Sequence, residues 1–167
     1  MKNEIENGVK NFIEAAFRDR DGLDPEDDLP VAVHAASGDD TINETLPYIV
    51  AQVTESPHLV GGIGHARLMV VASSPHKTGY ETDHQSNVRF LRAVFSAAVP
   101  PKLPVNAAHL SEEVWTASGD EISVQGFHVN GYIGTTGDPQ QDGIELTLGV
   151  YKGASASLVS SGDIYTG

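Results

Sequence analysis

Seven histidines are the side chains best suited to hold a metal or move a proton near neutral pH: His34, His58, His65, His76, His84, His109 and His128. No two of them stand two or four residues apart, the spacings that present two ligands from one strand or one helix turn, and there is no HExxH. His65 and His128 fall on different predicted strands and could meet across a sheet. A zinc site normally adds a third protein ligand, and none is apparent beside them. Most of the set therefore reads as structural or surface histidine.

Nucleophilic chemistry has as little support. There is no cysteine, which removes thiolate nucleophiles, thiolate metal sites and disulfides together. No GxSxG elbow occurs, and Ser118-Gly119-Asp120 has the composition of a turn. Gly61-Gly62-Ile63-Gly64 lacks the Lys-Ser/Thr of a phosphate loop and leads into a strand, not a helix. The neighbouring acids Asp39-Asp40 and Glu112-Glu113 lie in loop-like stretches and read as solvated. The acid-rich segment from Asp19 to Asp28 suggests calcium. Counted from Asp19, however, Gly22 is fourth where an EF-hand loop wants its glycine sixth, and Pro30 occupies the twelfth place. The expectation is a protein with no catalytic, cofactor-binding or metal-binding residues, not an enzyme. A triad assembled only in three dimensions stays open as an alternative.

One charged pair is set out differently. Arg89 and Arg92 are three apart on a predicted helix and share one of its faces. They are the candidate subunit-interface residues, a patch for an acidic neighbour such as another copy of this chain, with a solvated helix face as the plainer reading.

The chain they belong to is strongly acidic. Its formal net charge is −13 over 167 residues, and its ten basic residues are scattered, which argues against a general nucleic-acid binder. The charge either keeps the protein in solution or presents an acidic surface that repels DNA or meets a basic partner. Hydrophobic residues make up 40%, enough for one domain with a substantial core. No apolar run approaches the length of a spanning helix, and the first residues lack the apolar centre of a signal peptide, so no membrane role is expected.

The positioning elements follow from periodicity. Ile5, Val9, Phe12, Ile13, Ala16 and Phe17 recur at helical spacing and predict a helix over 2–18, with Lys2, Glu6, Lys10 and Glu14 on its polar face. Strands are predicted over 31–35, 46–54 and 61–74. In the third, Ala66, Leu68, Val70 and Ala72 alternate with His65, Arg67, Met69 and Val71. Asp83 is the expected cap of a helix reaching Ala98, with Val88, Leu91, Val94 and Phe95 buried and Pro100-Pro101 ending it. A short irregular helix is possible over 105–111. Strands over 121–134 and 143–152 close the domain, joined by a polar hairpin loop. The resulting order, α-β-β-β-α-β-β, fits an α+β fold: a mostly antiparallel sheet with two helices packed on one face. The domain is expected to span 1–152, with 153–167 as a flexible C-terminal arm that orders against a partner.

This order resembles the tail terminator or tail completion proteins of long-tailed bacteriophages. The resemblance is carried by the opening helix, the strand Leu46-Pro47-Tyr48-Ile49-Val50, the long strand Ala66-Arg67-Leu68-Met69-Val70-Val71, then Asp83-His84 and the helix with Val88-Arg89-Phe90-Leu91-Arg92, and the closing strand pair. It covers roughly 2–152. It implies a structural virion protein without cofactors, forming a homohexameric ring at the head-proximal end of the tail tube. Such a ring stops tail growth and joins the head. Its implied partners are further copies of itself, the tail tube protein and the head–tail connector protein, with DNA passing through unrecognised. Its place is the virion tail or neck, and the host cytoplasm during assembly. The acidic 19–28 loop and the long tail depart from the pattern, so another neck, connector or minor tail protein is the alternative. A small non-viral binding module and an acid–base enzyme using His and carboxylates are the further ones. A deep apolar pocket in a monomer would favour the module, and a buried His–carboxylate pair in a cleft would favour the enzyme.

Overall fold

Among the described residues, alternation and helical stripes resolve into eight elements: α1 (Lys2–Asp21), β1 (Ala32–Ala35), β2 (Tyr48–Val60), β3 (Ile63–Ser74), α2 (Glu81–Phe95), β4 (Lys102–Asn106), β5 (Glu121–Thr135) and β6 (Gln140–Lys152). They come from a computed structural model that describes residues 2–38, 40–60, 63–75, 79–96, 102–106, 121–135 and 137–152. The strands form one sheet in the order β1-β2-β3-β6-β5-β4. Every pairing is antiparallel except that of β1 with β2. The expected α+β fold is present, with β4 as an additional strand.

The two helices lie side by side on one sheet face. Ile5, Val9, Ile13 and Phe17 of α1 are buried together with Leu91 and Phe95 of α2 against Ile49, Leu68, Val70, Ile144, Leu146 and Leu148. Phe12 joins the layers, its ring 5.8 Å from Phe95 and 5.5 Å from Phe127 of β5. Phe17 meets Phe90 at 4.7 Å, so the helices run antiparallel, with aromatic rings as the contact. The inward set Ala66, Leu68, Val70 and Ala72 is buried as the alternation predicts.

Several boundaries differ from expectation, each for a local reason. The first helix runs on to Asp21 and stops where Gly22 takes φ 64°, a left-handed value that glycine adopts without steric cost; the Leu23 N–H donates to the Arg18 carbonyl at 2.9 Å. Asp19 to Asp21 are thus helix, not loop. β2 continues past Thr54, through irregular pairing between Glu55 and His58 that accommodates Pro57, which has no N–H for a ladder. Asp83 is not the cap of α2: Tyr80 is, without a side-chain cap bond, and Asp83 sits in the first helical turn. The helix ends at Phe95, not Ala98. β6 starts at Gln140, so the hairpin loop is shorter than expected. Val105 and Asn106 belong to β4, an edge strand with Pro104 at its middle, and the remainder of the 105–111 segment lies outside the described residues. So does the proposed arm, 153–167.

The largest correction concerns Glu6, expected on the polar face of α1. It is 2% exposed. β1 stops pairing at Ala35, and the Ala36 N–H donates to the Ala51 carbonyl at 2.9 Å. The Val53 N–H, two residues along β2, donates to Glu6 Oε2 at 2.7 Å. The Ser37 N–H donates to Oε1 at 3.0 Å, and the Ser37 hydroxyl donates to the same oxygen. A helix carboxylate therefore takes over where the edge strand ends, and its burial is offset by three donors. Glu6→Gln keeps the volume but loses the charge and half the acceptor capacity. It should lower stability by about 1–3 kcal/mol, the range for weakening charge-assisted bonds to buried donors, read as a lower urea midpoint at unchanged slope.

Candidate functional site

The second helix forms because its apolar side chains recur on one side, but that side also contains polar groups. His84 and Asn87 are buried beside Leu91 and Phe95, whereas Val88 and Val94 are only half-buried. The imidazole is held by β6: its Nε2 lies 2.6 Å from Asp142 Oδ2. Asp142 pairs across the ladder with Gly134, and a β-carbon on Gly134 would stand 2.9 Å from Asp142 Oδ1. The glycine leaves the space in which this carboxylate sits. The other imidazole nitrogen, Nδ1, is buried with no hydrogen-bond partner.

These two residues edge a groove of about 310 Å³ lined also by Gln85, Val88, Arg89, Arg92 and Gln140. Arg89 and Arg92, the pair singled out from the sequence, both border it. The Arg92 guanidinium lies over the Tyr132 ring at 4.4 Å from its centre, a cation–π contact that fixes its direction, and its Nε is buried without a partner. Arg89 is exposed. One carboxylate, already engaged by His84, thus faces two guanidiniums.

The opposite flank of α2 borders a different groove, of about 810 Å³, lined by Asp83, Ser86 and Asn87 together with side chains of α1 and of the 27–33 and 40–47 segments. Its carboxylates are Glu14, Asp27, Asp28, Asp40 and Asp83, and its bases are Lys10, Arg18 and Arg20. Two of the bases have carboxylates nearby: Lys10 is 3.9 Å from Asp40, and Arg20 Nε donates to Asp21 Oδ1 at 2.7 Å. That last bond holds the Asp21 carboxyl below its ordinary value and raises Arg20 above its own. Arg20 also stacks on Phe17 and Phe90, at 4.8 and 4.7 Å.

The sheet face away from the helices carries a third feature. Ladder partners run His34–Val50–Val71–Gly143–Ile133 across β1, β2, β3, β6 and β5. The helix-facing neighbours Ile49, Ala51, Val70, Ala72 and Ile144 are all buried, so this row points the other way. His34, Val50 and Val71 are half-buried and Ile133 is 46% exposed. Met69 lies over Gly143, where an added β-carbon would meet its sulfur at 2.8 Å. The row is mostly apolar, and none of the described helices covers it.

Other sequence candidates are not assembled. β6 separates the strands of His65 and His128; in the ladder His65 is opposite His58 and Gly149, and His128 is opposite Thr147. Among the described residues no three potential ligands cluster for a metal, and no helix is long and apolar enough to cross a membrane. The sequence reading missed the His84–Asp142 pair. The available signal was a histidine one turn before Val88 and two before Leu91, on the side that becomes the core.

No protein-family model matches the chain, and no curated protein matches it. One solved structure, known by a serial designation without a functional name, is similar over 89% of this chain and 91% of its own, at 14% identity and a TM-score of 0.46.

Asp142→Ala should leave a buried imidazole nitrogen without its partner and lower stability by about 1–3 kcal/mol, read as an earlier urea transition. An unchanged transition would mean that the pair holds nothing in place.

Proposed function

We propose that the chain is a structural subunit of a phage tail, forming a ring at the head-proximal end of the tail tube that ends tail growth and joins the head. The observation that carries this reading is the apolar row on the sheet face that none of the described helices covers. An apolar row that none of the described helices covers, on a chain of net charge −13, is a surface suited to protein contact, because two acidic copies can meet there over uncharged side chains. The order of elements supports the same reading, since it is the order on which the resemblance to tail terminator proteins rests. In this reading the protein acts by contact and not by catalysis. Its partners are its own copies, the tail tube protein and the connector protein, with DNA passing through the ring unbound.

A second reading has one specific observation in its favour. The His84–Asp142 pair at the rim of a groove has the composition of a general acid–base dyad. Such a dyad needs one imidazole nitrogen on its carboxylate and the other within reach of a substrate. Here Nε2 is taken by Asp142 and Nδ1 is buried. The pair fits a tie between α2 and β6 better than a proton relay, and the ring reading stands first.

The test is native mass measurement with negative-stain imaging of the full chain over a range of concentrations. Six-membered rings with a central hole are the expected result, and Val71→Asp, which places a charge in the middle of the row, should shift the population toward monomers. A monomer at every concentration, with a ligand taken up beside His84, would overturn the ring reading in favour of the second.

A further inference from the structure

The two flanks of α2 differ in a way that bears on how copies of this chain meet, and the inference rests on the ring reading above. Asp83, Ser86 and Asn87 border the larger groove, whereas Gln85, Val88, Arg89 and Arg92 border the smaller one. At 3.6 residues per turn these two sets fall on opposite sides of the helix. The first side is acidic: five carboxylates against three bases, with Lys10 close to Asp40 and Arg20 bonded to Asp21. The second is basic: two guanidiniums and one carboxylate, which is committed to His84 at 2.6 Å. The basic side is unusual in a chain whose acids outnumber its Lys and Arg by 23 to 10. It also holds a 2% exposed imidazole and a guanidinium with buried, unpartnered nitrogens.

We infer that these flanks are the two halves of one head-to-tail contact, in which the Arg89–Arg92 groove of one copy receives the carboxylates around Asp28 and Asp83 of the next. Charge decides the arrangement. A two-fold contact through either flank would set like charges against each other. Joining opposite flanks pairs arginine with carboxylate, and because the two patches differ, every copy keeps one of each for a further neighbour. Contacts of that kind close into rings or run on as filaments; they do not stop at a dimer. Arg92 is already aimed by Tyr132, so less of its freedom is lost when it accepts a carboxylate. The apolar row on the sheet supplies further contact between copies, and the charged flanks set the direction in which they join.

The experiment uses two full-length charge-reversed variants, Arg89→Glu/Arg92→Glu and Asp28→Lys/Asp83→Lys, each checked for native circular dichroism and melting and then sized alone and mixed. Each variant alone should fail to assemble, since one flank then carries the wrong sign. An equimolar mixture should assemble again, because every junction in an alternating ring is either native or doubly reversed. For the unaltered chain, assembly should weaken on the order of tenfold between 0.1 and 1 M salt, as screening shortens to a few ångströms. The salt series holds even if a variant does not fold. Folded variants that assemble alone, a mixture that stays monomeric, or salt-independent assembly would each overturn the head-to-tail contact while leaving the ring reading intact. An unaltered chain that never self-associates would remove both.

Discussion

A carboxylate placed beneath a helix has to find donors or remain outside the core, and Glu6 finds three on a strand edge that would otherwise be bare. Apolar contacts alone would let α1 slide or rotate over the sheet at modest cost, because Ile, Val and Phe fill space without direction. The three bonds to Glu6 are directional. They fix the register of α1 against β1 and β2, and α1 in turn presents Phe12 and Phe17 to the rings of α2 and β5. The position of α2, and with it the setting of Arg89, Arg92 and Asp83, follows from that chain of contacts. His84 and Asp142 repeat the device on the other side, tying α2 to β6 by one short polar bond.

Periodicity revealed most of the layers. The stripe Ile5, Val9, Ile13, Phe17 and the alternation Ala66, Leu68, Val70, Ala72 are single-element signals, and both are buried as expected. What stayed hidden depends on distant partners. Glu6 bonds residues 31 and 47 positions away, and His84 reaches 58 positions, so no local window holds both sides of either interaction. Residue type put Glu6 with the polar face, although at 3.6 residues per turn it stands beside Ile13 at the border of the apolar stripe. Proline obscured two strands. Pro57 interrupts β2 at an irregular pairing, and Pro104 stands inside the edge strand β4, which is paired on one side only; each reads as a break in the sequence. The Arg89–Arg92 spacing did point to a shared face. The cavity between that face and β6 was not legible, because the carboxylate that shapes it lies on a strand from the far end of the domain.

The surface divides by chemistry in a way that the total charge conceals. The sheet's outer face has a mostly apolar row, one flank of α2 is rich in carboxylates and the other carries two arginines. An acidic total repels other acidic surfaces at long range, while short-range features decide which contacts are favourable. The buried aromatic layer and the two polar ties hold those surfaces at fixed angles. That rigidity is what a subunit needs if it is to act by fitting neighbours.

Both margins of the sheet are poor templates for a further strand. β1 is only four residues long, and the Gly38 N–H already donates to the Ala35 carbonyl. At the opposite margin β4 is only five residues long, and Pro104 at its middle has no N–H to offer an incoming chain. Main-chain pairing is indifferent to sequence and is the usual route to fibrillar aggregation. With that route impeded, encounters between molecules are judged by side chains, whose charge and shape can be altered one codon at a time.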